Sequence, residues 1–304
     1  MTTAGLTLAA KTRAAAIRRG VILLACGIFV FTAMDALAKV LVQLYPTVEV
    51  VWARFAGHFL CVVLYLRQRF WSALVTSMPF WHVARSLSQI GATVFFFASL
   101  NYVSLAEATA LAAISPVLIT LGAALFLGER LSLARGLGVA AALLGALIIL
   151  RPGMGVFSLS ALLPVISAFC YAANLLLTRL VGSRESPWAA MIYASAAGTL
   201  LSSLVLPWVW QPIAPQHVPA FLLLGALGAA AQLLIIKAYS SAEAGALAPF
   251  GYLDIVFATV WSVAAFGVFP DAFTLIGALV IAASGLYVWR QEAGLAKTRP
   301  SGLI

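Results

Sequence analysis

Apolar segments of about 20 residues follow one another along this chain with only short breaks between them, which leaves almost no choice of fold. An α-helix rises about 1.5 Å per residue, so each segment can cross the roughly 30 Å hydrocarbon core of a bilayer. Ten such segments are expected: 19–42, 47–66, 80–101, 104–126, 132–150, 158–180, 188–207, 218–239, 243–266 and 272–290. The breaks carry turn chemistry at Tyr45-Pro46, at Arg67–Arg69 and in GERLS, RPGMG, GSRESP, WQPIAPQ and FPDAF. In lipid each segment must be helical, because only a helix or a closed barrel satisfies its own backbone polar groups. Composition agrees: 9% of residues are charged, against about 25% in soluble domains. The mean hydropathy is +1.07.

The formal charge of +9 does not point to nucleic acid, because the cations sit between apolar segments without a basic stripe or interleaved aromatics. Cys26, Cys61 and Cys170 are isolated in apolar runs, which predicts free thiols with neither disulfide nor metal. Lys11, Arg13, Arg18 and Arg19 precede the first apolar run, and Ala36–Ala38 imitates a leader cleavage site. Asp35 and Lys39 flank that site and the run continues to Leu44, so an uncleaved first helix is expected. With the N-terminus in the cytoplasm, Arg67, Arg69, Arg130, Arg184 and both basic tails fall inside, and only Arg151 falls outside. That bias predicts an integral protein of the plasma membrane (the bacterial inner membrane) with both termini cytoplasmic.

The chain also says one thing twice. Ser104 opens SLAEATAL and Ser240 opens SSAEAGAL; aligning Glu107 with Glu243 pairs Leu111 with Leu247, and after a short gap Gly128 with Gly267 and Gly138 with Gly277. Five segments separate the copies, so the second crosses the membrane in the opposite sense. The expected organisation is a tail at 1–18, a first five-helix repeat at 19–150, an inverted second repeat at 158–290 and a tail at 291–304, arranged around a central cavity. Inverted repeats of this kind are a construction of secondary transporters, with the binding site between the halves.

These residues resemble the drug/metabolite transporter superfamily, in particular its EamA-type ten-helix group. The resemblance rests on WARF at 52–55, LNYVSLAEATALAAISPVL at 100–118, LGERLS at 127–132, KAYSSAEAGALAPFGYLDIVFA at 237–258 and IGALVIAASGLYV at 276–288. The second copy reads FGVFPDAF where the first reads LGERLS, which removes a symmetric role for Glu129. The resemblance implies a secondary transporter or facilitator that exports small metabolites, amino acids foremost, by alternating access, and that uses no cofactor. The alternatives are a drug, nucleoside or other metabolite carrier of the same fold, and a channel or lipid-facing scaffold. No GxxxxGK[ST], HExxH or GxSxG motif occurs, so neither ATP coupling nor an enzyme is expected.

Polar side chains at membrane depth are the candidate site, since each is costly there without a cavity or partner. Asp35 and Lys39 stand four apart on the first helix, as a pair for a zwitterion, a proton-linked carboxylate or an internal ion pair. His82, Ser86, Gln89 and Thr93 form a stripe on the third helix, with Arg85 beside it, and Ser167, Tyr171, Asn174 and Thr178 form one on the sixth. His82 and Arg85 are also placed to reach headgroups, and Arg54 and His58 are read as structural. Gln232, Tyr252 and Trp261 complete the candidate lining, Asp254 joins Asp35 and Lys39 as a coupling candidate, and Pro116 and Pro249 are candidate hinges. Glu107 and Glu243 are read as helix-start carboxylates. The partners expected are a small-molecule substrate, the lipid bilayer and protons, not nucleic acid.

Overall fold

A computed structural model describes residues 3–126, 133–150, 159–181, 186–241 and 248–298. Glu129, Glu243 and Arg151 lie outside the described residues. Every regular element among the described residues is helical. The helices are α1 (Thr3–Val42), α2 (Thr47–Leu66), α3 (Phe70–Leu74), α4 (Pro79–Ser99), α5 (Leu105–Ala112), α6 (Ser115–Phe126), α7 (Leu133–Leu150), α8 (Leu162–Val181), α9 (Pro187–Val209), α10 (Val218–Ser241), α11 (Leu253–Phe266) and α12 (Ala272–Thr298).

The local chemistry explains where these helices begin and end. The α1–α2 turn is tight: the amides of Leu44 and Tyr45 donate to Leu41 O at 3.0 and 2.8 Å. Pro46 then starts α2. Ser104 caps α5 by accepting from the Glu107 amide at 3.2 Å, and Glu107 occupies the first turn, where the helix is electropositive. Gly267, with φ +64°, ends α11 in the left-handed conformation that a side chain would resist. Hydroxyls inside the helices bond back one turn, as Thr32 does to Ile28 O at 3.0 Å and Ser195 to Met191 O at 2.7 Å.

The fourth and ninth segments depart from the continuous helices expected. The fourth is broken between Ala112 and Ser115, just before Pro116, so that α5 and α6 are separate. The ninth enters α11 through a 3-10 turn, Ala248–Tyr252, which contains Pro249. Among the described residues, five helices, starting with Arg18–Val42, are long and apolar enough to cross a membrane on their own terms. Leu105–Ile119, Gly136–Leu150, Phe250–Phe266 and Ala272–Tyr287 are apolar but shorter, and α4 is outside both groups because His82, Arg85, Ser86, Gln89 and Thr93 dilute it. α1 also reaches back to Thr3, well before the expected start at 19.

Packing between the two halves is reciprocal. α1 lies on α10 and α8 on α4; α2 on α10 and α9 on α4; α1 on α11 and α8 on α6; while α2–α9, α5–α11 and α7–α12 pair like with like. Exchanging the halves maps this set of neighbours onto itself, as a twofold relation would. Small residues permit the closest crossings, as is usual between helices in lipid. A Cβ on Gly57 would lie 2.7 Å from the Gly225 Cα, and one on Gly145 would lie 2.8 Å from Gly277 O. Large apolar side chains such as Leu64, Leu200 and Leu222 are exposed around the outside, as a lipid-facing surface requires.

Candidate functional site

The turn between α1 and α2 sets Asp35 and Arg54 at matching depth, since each stands eight residues from it, at Gln43 and Pro46 respectively. Both are buried. Asp35 lies within electrostatic reach of Arg54 and of Asp254, which α11 carries in its first turn. Arg54 donates to Thr93 Oγ1 on α4, and the rings of Phe31, Phe55 and Phe97 surround its guanidinium at 5.5, 5.3 and 5.4 Å. Gly228 of α10 leaves room beside it: a Cβ there would sit 3.2 Å from Met34 Sδ and 3.8 Å from Arg54 Cγ. Asp35 thus has a guanidinium and a second, half-buried carboxylate within reach, the three brought from three helices.

Hydrogen-bonding groups are left open on α2, on α11 and in the turn that leads into α11. Tyr252 Oη, Trp261 Nε1, Ser262 Oγ and His58 Nε2 are buried and without a hydrogen-bond partner. Tyr252 presses its hydroxyl end against Gly285, and Trp261 leans on Phe29 at 5.2 Å between ring centroids. A buried donor without a partner costs about 1–3 kcal/mol.

Lys39 does not pair with Asp35, as the four-residue spacing allowed. Its Nζ donates to Leu100 O at 3.0 Å and Val103 O at 2.8 Å, beyond the end of α4, and Gln43 Nε2 reaches the same Leu100 carbonyl at 3.3 Å. Carbonyls at a helix C-terminus have no partner within the helix, and a cation satisfies them well.

The stripes on α4 and α8 meet each other. Asn174 Nδ2 donates to Arg85 O at 2.9 Å, Ser167 Oγ to Ala92 O at 2.7 Å and Thr178 Oγ1 to Asn174 O at 2.7 Å. Ser86 bonds back to His82 O at 2.7 Å, and His82 stacks on Tyr193 of α9 at 5.0 Å. Arg85 turns inward, not to headgroups. Gln89 and Gln232 are half-buried, whereas Tyr171 is 42% exposed. Pro116 and Pro249 each sit at a helix interruption. Among the described residues no group of three or more His, Cys, Asp or Glu is placed to hold a metal ion, and the three cysteines are free.

Two clefts open at opposite ends of α2. One, of about 940 Å³, is lined by Tyr65, Arg67, Arg69, Ser72, Ser186 and Trp188. The other, of about 570 Å³, includes Lys39, Gln43, Asn101, Tyr102 and Phe266. Arg54, His58 and Asp35 line neither of them. Arg54, His58 and Ser262, outside the lining expected from the sequence, also carry buried polar groups.

Comparison with known proteins agrees with this architecture. The model of the EamA-like transporter family matches twice, over residues 18–151 and 158–290. The riboflavin transporter of Rhizobium johnstonii is 30% identical over 82% of this chain and 82% of its own. The pseudopaline exporter of Pseudomonas aeruginosa is 28% identical over 91% of this chain and 98% of its own. The S-adenosylmethionine uptake transporter of Rickettsia felis is 24% identical over 86% and 89%. A solved crystal structure superposes with a TM-score of 0.61, covering 93% of this chain and 99% of that one at 20% identity, which speaks for the fold alone.

Proposed function

This chain belongs to the EamA-like transporter family, and from that premise we propose that it exports amino acids or closely related zwitterions by alternating access. That it is an integral membrane protein carrying a small metabolite, and not an enzyme, follows from the family. The single observation that carries the finer reading is that Asp35, buried in the bundle, has charges of both signs, Arg54 and Asp254, within its reach. Carboxylates suit an ammonium group and a guanidinium suits a carboxylate, so an amino acid can meet both within one site. Tyr252, Trp261 and Ser262 add donors for the remaining acceptors.

The reciprocal packing supports two inverted halves that rock about this centre, with the helix interruptions at Pro116 and Pro249 as hinges. The Lys39 and Gln43 contacts to Leu100 act as a closed latch at one end. The basic-residue bias supports a bacterial inner membrane with both termini cytoplasmic. Asp35 and Asp254 are the groups through which a proton would be coupled.

Purified protein in liposomes tests this by counterflow with a panel of amino acids. Asp35→Asn and Asp254→Asn, each assayed with and without a pH gradient, test the coupling; indifference of both to the gradient leaves facilitated diffusion. Amino acids that produce no counterflow remove the reading. A second reading, a flat heteroaromatic cargo, is favoured by the ring-lined surroundings of Arg54 and by the riboflavin relative. Riboflavin in the same panel separates the two.

A further inference from the structure

Outside the centre, Arg85 has an unusual environment. The residue is 9% exposed, in a bundle whose surroundings are lipid. Its Nη1 donates to Thr178 Oγ1 at 3.4 Å and its Nη2 to Ala190 O, while Nε has no partner. All these acceptors are neutral, and among the described residues no carboxylate pairs with it. A guanidinium stays charged at any ordinary pH, so it cannot escape burial by giving up its proton. A buried cation needs a counter-ion, and here the protein's described groups do not provide one.

The place of this cation in the fold indicates where a counter-ion would arrive. Ala190 belongs to the first turns of α9, and the residues that open this helix, Ser186 and Trp188, wall the 940 Å³ cleft. Arg67 and Arg69 line the same cleft, so its field attracts anions. The N-terminus of α9 adds to that field.

We propose that Arg85 is an anion-binding residue behind the inner wall of this cleft, and that it takes a carboxylate. Only the further step, that this is the carboxylate end of an amino-acid cargo on its way to the centre, rests on the function proposed above. The open Nε–H gives the carboxylate a charge-assisted hydrogen bond, and Arg67 and Arg69 gather it from solution.

The test uses the full chain in detergent with sodium benzoate, a bare carboxylate, and methyl benzoate as the uncharged control. Benzoate is expected to raise the unfolding midpoint of the wild type, and methyl benzoate is not. Arg85→Gln is expected to abolish the benzoate shift, a loss of at least about tenfold in affinity. Arg85→Lys, which keeps the charge without the planar fork, covers the case in which the glutamine variant folds poorly, and is expected to lose about half of the shift. No shift in the wild type, or an undiminished shift in Arg85→Gln or Arg85→Lys, overturns the proposal. Glu185, outside the described residues, is the rival counter-ion: benzoate binding that appears only in Glu185→Gln means Arg85 is already paired, and also overturns it. If benzoate behaves as expected while amino acids fail in counterflow, the cargo reading falls and the anion site stands.

Discussion

Two buried polar regions lie in this bundle, and their hydrogen bonds are finished differently. Where α4 meets α8 and α9, amides and hydroxyls close on helix carbonyls: Asn174 on Arg85 O, Ser167 on Ala92 O, Ser86 on His82 O. Where α1 meets α2 and α11, charges of both signs gather and Tyr252, Trp261, Ser262 and His58 keep open groups. The first region needs only its own side chains, apart from the charge and the open Nε of Arg85. The second keeps several groups open, and the cargo is proposed to meet them. A polar stripe in a membrane helix is therefore not itself a sign of a binding site; unfinished hydrogen bonding is the better sign.

The largest test of this contrast is Arg54→Leu. It leaves the buried Asp35 without the guanidinium in its electrostatic reach, which is expected to cost about 3–5 kcal/mol of stability and to abolish counterflow. Denaturant titration in detergent beside the transport assay measures both. Near-normal transport in this variant would move the cargo site away from Arg54. Asn174→Leu comes next. Loss of its bond removes a second donor from the Arg85 carbonyl, which keeps its partner within α4, and is expected to cost about 0.5–1.5 kcal/mol, with the transport rate per folded molecule kept. A rate that falls with folding intact would make α8 part of the cargo route and erase the difference between the regions.

How much of this was written in the sequence depends on the kind of fact. The turns at Tyr45-Pro46 and before Asp271, the capped start at Ser104 with Glu107 and the doubling of the chain all follow from local residue types, and the helices begin and end accordingly. Of the stripe Ser167, Tyr171, Asn174 and Thr178, helical periodicity grouped Ser167, Asn174 and Thr178 on the face that meets α4, whereas Tyr171 is 42% exposed. Which neighbour that face meets is not local. Lys39 finds its carbonyl partners 61 and 64 residues away, so the nearer Asp35 looked the natural mate. The surroundings of Arg54 are equally non-local, since they come from α1, α4 and α10 at once. Hydropathy had its own blind spot at α4, where the polar stripe lowers the apolar signal of a helix that packs on α8, α9 and α2.

Smaller effects sharpen the contrast by separating stability from affinity. Ser262→Ala removes a buried hydroxyl that has no partner. Stability is expected to hold or rise by up to about 1 kcal/mol, while cargo affinity falls by about five- to tenfold. A drop in stability instead would mean that the hydroxyl is already satisfied in the resting protein. Tyr171→Phe carries the smallest expectation. Its ring is 42% exposed on the same helix as Asn174, so the change should stay within about 0.5 kcal/mol and counterflow should not alter. The hydroxyl is all this variant removes, which makes it the cleanest probe of whether the outer face of α8 meets lipid or cargo. Slower counterflow with stability intact would put the cargo on that face, and α8 would then serve as wall and route together.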